Sequence, residues 1–386
     1  MEENNKIRVA ITHGDTNGIG YELIFKTFAE PEMLEICTPI IYGSPKAAAY
    51  HRNVLDIQAN FSIINSAEEA RDGRINLLPT YDEETKIDMG IATPESGTAA
   101  LKALDRAMGD YRNGLFDVLV TAPINKANIK GEGFEFKGNA KYIETCIGEG
   151  QKAFPILVNE QIRLASVTEN IPLKDVANAI TKEALAEKAT IFFNTLRRDF
   201  NISNPRIAVL ALNPSTNEDG TFGKEETEVI IPTINELVDK GVETFGPYAA
   251  DEFFGNGYYQ SFDGILAMYH DQGTAPFKTI APESGVVYLA NLPAITTASD
   301  MTVDYENAGK CIESPDSFRH AVYLAIDSFN NRHRYDEPLT NPLKKLYHEK
   351  RDESEKNRFA IPKKHSGDPF PPKEDKHTEK KEAQKK

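Results

Sequence analysis

Ile7-Arg-Val-Ala-Ile-Thr12, followed at once by His13-Gly-Asp-Thr-Asn-Gly-Ile-Gly20, decides how the rest of the chain is read. Five of the six leading residues are apolar or β-branched and do not alternate with polar ones, as expected of a strand buried on both faces. The run then breaks into a polar loop carrying Gly14, Gly18 and Gly20, ahead of a helical stretch. The same order recurs downstream. Further strands are expected at Pro39–Tyr42, Asp117–Thr121, Arg163–Val167, Arg206–Leu212 and Phe262–Met268. Between them, Thr98–Asn113, Lys182–Phe200 and Glu225–Lys240 place apolar residues three or four apart, the spacing of an amphipathic helix. Strands alternating with helices predict an α/β fold, with mostly parallel sheets flanked by helices.

Four of these strands run into polar or glycine- and proline-containing loops: Thr12–Gly20, Thr121-Ala-Pro-Ile-Asn-Lys126, Leu212-Asn-Pro-Ser-Thr-Asn-Glu-Asp-Gly220 and Tyr269-His-Asp-Gln-Gly273. Ligands of open α/β sheets bind outside the carboxyl ends of strands, so a site built from these loops is expected. The glycines of the first loop match neither the dinucleotide fingerprint nor the P-loop spacing. That segment is either a tight structural turn or a ligand-contacting loop. Lys126 could meet a carboxylate or phosphate, or cap the surface. His270 could ligate a metal or move a proton, and Asp271 could orient it.

The chain has 386 residues, with 44 basic and 59 acidic side chains and a net charge of −15, which disfavours a general nucleic-acid partner. No apolar run approaches the roughly 18 residues of a membrane span, and the first residues lack the pattern of a secretory leader. Three widely spaced cysteines, Cys37, Cys146 and Cys311, predict a reducing cytoplasm instead of a disulfide framework. Residues 362–386 form a lysine- and glutamate-rich tail expected to be disordered.

In order along the chain, Ile11–Gly20, Val120–Lys126, Ile171-Pro-Leu-Lys-Asp175, Arg206–Pro214, Gly246-Pro-Tyr-Ala-Ala-Asp251 and Asp263–Gly273 resemble the 4-hydroxythreonine-4-phosphate dehydrogenase family of pyridoxal phosphate biosynthesis. The resemblance implies a two-lobed fold like that of isocitrate and isopropylmalate dehydrogenases. One lobe would comprise residues 1–130 with about 305–350, and the other, residues 131–304, would carry a homodimer interface. It further implies NAD as cofactor, a divalent metal (Zn, Mg, Mn or Co), and a small phosphorylated amino-acid-like metabolite that is oxidised at a secondary alcohol and then decarboxylated. Asp251, Asp271 and Lys278 occupy family catalytic positions, and Lys278 also a substrate-binding one.

The resemblance also implies three metal-binding histidines drawn from both subunits. His270 is one, but the other two positions hold Asn170 and Ser215. The family's Gly-His-Thr-Glu substrate motif reads Gly138-Asn139-Ala140-Lys141, and its substrate asparagine and arginine are Val287 and Thr296. Losing two contacts to a charged ligand costs about 3–6 kcal/mol. The apolar strands match while the reacting positions do not, so the fold is expected to persist with the family reaction abolished or replaced. Three readings follow. The first is a family dehydrogenase rescued by Gly18, Asp251, Asp271 and Lys278, with Glu169 or Glu218 as oxygen ligands. The second is a catalytically silent paralogue that binds a metabolite, has a regulatory role or pairs with an active relative. The third is an oxidoreductase with a changed substrate.

Overall fold

The computed structural model describes residues 6–81, 85–131, 134–135, 138–217 and 221–342. The C-terminal tail and Glu218 lie outside them. In chain order the strands are β1 (Ile7–Thr12), β2 (Cys37–Gly43), β3 (Phe61–Ile63), β4 (Ile75–Pro79), β5 (Val118–Thr121), β6 (Lys130–Gly131), β7 (Phe134–Glu135), β8 (Phe154–Val158), β9 (Arg163–Ser166), β10 (Ile207–Leu210), β11 (Thr244–Tyr248), β12 (Gly264–Ala267), β13 (Val286–Ala290) and β14 (Ile295–Ser299). All but the short β6–β7 pair join one sheet, ordered β11-β10-β12-β9-β8-β13-β14-β5-β1-β2-β4-β3.

The expected α/β class, mostly parallel and flanked by helices, holds. Parallel blocks stand at each end, β11-β10-β12-β9 and β14-β5-β1-β2-β4-β3. The antiparallel contacts of β8 and β13 bridge them.

The uninterrupted apolar strands are buried on both faces. Val9 and Ile11 of β1 enter one core cluster and Ala10 another; Val118 and Val120 of β5 join the first, Leu119 the second. In the other block, Ile207, Val209 and Leu266 join the first cluster, while Ala208, Leu210 and Ile265 form a third. Each fully buried Ile or Leu contributes about 1.5–3 kcal/mol of hydrophobic stabilisation.

The covering helices start where side chains can satisfy their free N–H groups. Ser44 Oγ accepts from Ala47 N ahead of Pro45–Leu55, Thr93 Oγ1 from Ser96 N ahead of Pro94–Arg112, and Thr181 Oγ1 from Ala184 N ahead of Lys182–Arg198. Proline at the first position of the first two adds a preset φ where no N–H is needed.

The glycine loop after β1 is a structural turn. Residues 11–25 are all buried. A Cβ at Gly18 would lie 2.3 Å from Val303 Cγ1, and one at Gly14, where φ is +74°, 2.3 Å from Pro123 O. Only glycine fits such close approach. The ligand-contacting alternative is thereby set aside. No described helix is long and apolar enough to cross a membrane.

Candidate active-site cleft

A cleft of about 770 Å³ opens over the middle of the sheet. Pro155 of β8, Val287 and Leu289 of β13 and Ala298 of β14 form an apolar wall. The loops after β5, β9 and β14 supply Thr121–Ile124 and Lys126, Glu169 and Asn170, and Asp300 and Met301. The start of helix Asn139–Ile147 adds Gly138, Asn139, Ala140 and Lys141. The structure thus brings the expected substrate positions Gly138, Asn139, Ala140 and Val287 and the expected metal position Asn170 to one cleft.

Lys126 lies across Gly138: a Cβ there would sit 2.8 Å from Lys126 Cε and 3.2 Å from Nζ, at a φ of +108°. The bare glycine leaves room for the lysine. Lys278 has a different setting. It is exposed on helix His270–Ile280, and its Nζ is 3.1 Å from Asp300 Oδ2. Part of the charge that the resemblance assigns to substrate is thereby committed inside the protein.

Two carboxyls in the cleft are held toward protonation. Burial raises the pKa of Glu169 against the opposing fields of Lys188 and His270. Burial likewise raises that of Asp300, opposed by Lys278 and then His270. His270 therefore stands within electrostatic reach of both, although its ring does not line the cleft. Its Nδ1 is 2.8 Å from Asp271 Oδ1. Asp271, Asp251 and Ser215 are exposed outside the cleft lining. Thr296 is 1% exposed and is not among the residues lining the cleft.

The three positions that the resemblance assigns to the metal lie on loops of neighbouring strands. β10, β12 and β9 are adjacent and parallel, and the loops leaving their carboxyl ends carry Ser215, His270 and Asn170. Hydrogen bonds lock these loops together. Thr168 Oγ1 donates to Met268 O at 2.8 Å; Gln272 accepts from Met268 N and donates to Ala211 O, both at 2.7 Å. Glu226, fully buried, accepts from Leu212 N at 2.9 Å and Asn213 N at 2.8 Å.

The donor chemistry does not fit the group. An amide and a hydroxyl replace two imidazoles, and neither is a good ligand for zinc or its neighbours. Among the described residues no group of three His, Cys, Asp or Glu side chains is placed to hold an ion.

Gln272 and Glu226 are residues that sequence reasoning missed. Gln272 lies inside a quoted loop and Glu226 follows one, but the role of each depends on which carbonyl or amide the fold brings opposite it. The buried turn residue Asp15, whose partners come from three other segments, was missed for the same reason.

An α/β sheet with a ligand cleft over its centre and loop-borne polar groups at its rim defines the class: a protein that acts on or binds small molecules. Residues 35–325 match the family described as pyridoxal phosphate biosynthetic protein PdxA, and the chain belongs to that family. It is 54% identical over 354 residues to a 4-hydroxythreonine-4-phosphate dehydrogenase of Bacteroides thetaiotaomicron, covering 92% of this chain and 97% of that protein. A protein of the same name from Sulfurihydrogenibium sp. is 34% identical over 320 residues, covering 83% and 98%. Among solved structures, the 4-hydroxythreonine-4-phosphate dehydrogenase of Klebsiella pneumoniae superposes with a TM-score of 0.73 at 26% identity, over 85% of this chain and 99% of that one.

Proposed function

We propose that the cleft is this chain's ligand site and that it receives a small phosphorylated, amino-acid-like metabolite of the kind named for its relatives. The observation that carries the reading is the convergence of Gly138, Asn139, Ala140, Asn170 and Val287 on one cavity, with Lys126 at its rim. By family the associated chemistry is NAD-dependent oxidation of an alcohol followed by decarboxylation, in a cytoplasmic homodimer. The three free cysteines are in keeping with a reducing compartment.

A specific observation favours a second step in the reading. Where the family reaction needs a Lewis acid, this chain has Asn170 and Ser215, and where it needs substrate clamps it has Val287 and Thr296. The second reading is therefore a metabolite-binding member in which the metal-assisted oxidation of its relatives does not run. What its own residues supply is recognition: Lys126 offers a cation to an anionic ligand, the apolar wall excludes water, and Glu169 presents a carboxyl to a hydroxyl or amino group.

The test is calorimetric titration with 4-phosphooxy-threonine, paired with a fluorescence assay for NADH in the presence of zinc, magnesium, manganese or cobalt. Binding without turnover is expected. Turnover at the rate of an active relative would overturn the silent step, and absence of binding would overturn the assignment of the cleft.

A further inference from the structure

We propose that a cavity separate from the cleft is a second ligand site, built for a small carboxylic acid with a short apolar body. It encloses about 310 Å³ between the turn joining β8 to β9, the end of helix Lys182–Arg198 and the long helix Asp316–Thr340. No residue that lines it also lines the cleft. Val286 of β13 belongs to this cavity and its neighbour Val287 to the cleft, so the two sites draw on opposite faces of the strand.

Three buried polar atoms on its walls have no hydrogen-bond partner among the described residues: Asn159 Nδ2, Arg163 Nε and Ser328 Oγ. Ser328 is fully buried and Asn159 is 8% exposed. The other end of the Asn159 amide settles its orientation, because Oδ1 accepts from Gln161 N and Ile162 N, both at 2.8 Å. Nδ2 is the end left over, and it can only donate. The Arg163 guanidinium lies 5.2 Å from the centroid of the Phe200 ring and, among the described residues, has no ion-pair partner. Burial pulls its pKa down against the field of Asp263. Buried donors left unmade are costly, and native proteins supply partners to nearly all of them. Three around one cavity point to acceptors that a ligand brings.

The walls also select the ligand. A carboxylate only accepts, and its two oxygens offer about four lone-pair sites, enough for all three groups. Arg163 is the one lysine or arginine among the described lining residues, and it shares the cavity with Glu160 and Asp327. The remaining acid, Asp199, is taken by Arg332 and Tyr288. One guanidinium matches a monoanion, whereas a phosphate dianion would face the two carboxylates. Val158, Val286, Leu324 and Phe200 supply an apolar surface for an aliphatic chain. Asn159, Glu160, Ser284 and His320 also line an adjoining pocket of about 350 Å³, which gives the ligand a route in.

The experiment uses the full chain with 4-methylpentanoate and L-leucine as probes, read by calorimetry, and inorganic phosphate as the contrasting anion. At least one probe should bind saturably, one per chain, and neither phosphate nor 4-phosphooxy-threonine should displace it. Tighter binding of leucine, with the advantage lost in Asp327→Asn, assigns the site to amino acids; tighter binding of 4-methylpentanoate assigns it to simple carboxylic acids, and either supports the proposal. Arg163→Met should weaken binding about 10- to 100-fold and Ser328→Ala about 3- to 10-fold. Asn159→Asp keeps the oxygen that holds the turn and replaces the donor with a second oxygen, so it should fold like wild type and lose at least about 10-fold in affinity. Its melting temperature should accordingly stop rising with added probe.

Absence of saturable binding of both probes at millimolar concentration would overturn the proposal. So would binding that survives in a folded Asn159→Asp chain, or displacement of the probe by phosphate or by 4-phosphooxy-threonine. The site shares no lining residue with the cleft, so its failure leaves the reading of the cleft untouched.

Discussion

Tyr305 donates its hydroxyl to Asp15 Oδ2 at 2.8 Å, joining residues 290 positions apart in the chain. Asp15 is 1% exposed and accepts three more hydrogen bonds: from Asn17 N at 2.9 Å, Ser96 Oγ at 3.0 Å and Asn128 Nδ2 at 2.7 Å. One buried carboxylate thus clamps the turn after β1, the start of helix Pro94–Arg112, the loop after β5 and the segment that follows β14. These are the elements behind one wall of the cleft. Removing the acceptor strands several buried donors, so Asp15→Ala should cost about 3–5 kcal/mol. Tyr305→Phe removes one donor to a charged group and should cost about 1.5–3 kcal/mol. Urea denaturation of the two variants checks both values, and equal effects would contradict a carboxylate-centred network.

The same turn makes stability depend on pH. His13 is fully buried, stacked on Tyr21 with ring centroids 5.1 Å apart, and burial pushes its pKa down to about 3. His51, 1% exposed with Nε2 2.7 Å from Thr16 O, is pushed down to about 4, again by burial. Both stay neutral in the fold, whereas the unfolded chain protonates them near the ordinary value of about 6.5. As pH falls below that value the unfolded state takes up protons first, and stability drops. Between about pH 7 and pH 5 each histidine should remove about 2 kcal/mol. His13→Phe keeps a stacked ring and should make the decline shallower by about that amount; an unchanged slope would show that the buried imidazole is not responsible.

Much of the scaffold was legible because buried parallel strands leave unbroken apolar runs. Ile7–Thr12 is legible at its observed bounds, and Arg163–Val167, Arg206–Leu212 and Phe262–Met268 each enclose an observed strand. β8, β13 and β14 are not legible as strands. Their sequences are apolar enough, but what makes them strands is mutual antiparallel pairing, a long-range fact with no local period. The site divides in the same way. His270 and the loops announced themselves by residue type, and the ordered motifs gave the family. The Lys278–Asp300 pair and the Gln272 bridge did not, because each joins segments whose proximity only the fold decides.

A buried ion pair tests how the long helix Asp316–Thr340 is anchored. Arg332 Nε and Nη2 donate to the two carboxylate oxygens of Asp199 at 2.8 and 2.9 Å, and Tyr288 Oη donates to the same group at 2.8 Å. The arginine and aspartate side chains are 11% and 4% exposed. A paired geometry of this kind, once broken, leaves a charge without compensation in the interior. Asp199→Ala should therefore cost about 3–5 kcal/mol. Replacing Arg332 by Met as well should recover part of that loss, since no orphan cation then remains. A double-mutant cycle by chemical denaturation measures the recovery, and strict additivity would show that the pair is not coupled.

The two lysines of the cleft rim should differ in their effect on ligand binding. Lys126 leans over Gly138 and, among the described residues, has no ion-pair partner, so its charge is available to an incoming anion. Lys278 is held by Asp300, which must be released or outcompeted before the ammonium can serve a ligand. A charge-assisted hydrogen bond contributes about 1.5–3 kcal/mol. Lys126→Met should accordingly weaken binding of 4-phosphooxy-threonine by about 10- to 100-fold. Lys278→Met should weaken it less, and Asp300→Asn should tighten it by freeing Lys278. Calorimetry on the three variants gives the ranking. A larger loss from Lys278→Met than from Lys126→Met would mean that the ligand displaces Asp300 and uses the lysine implied by the family resemblance.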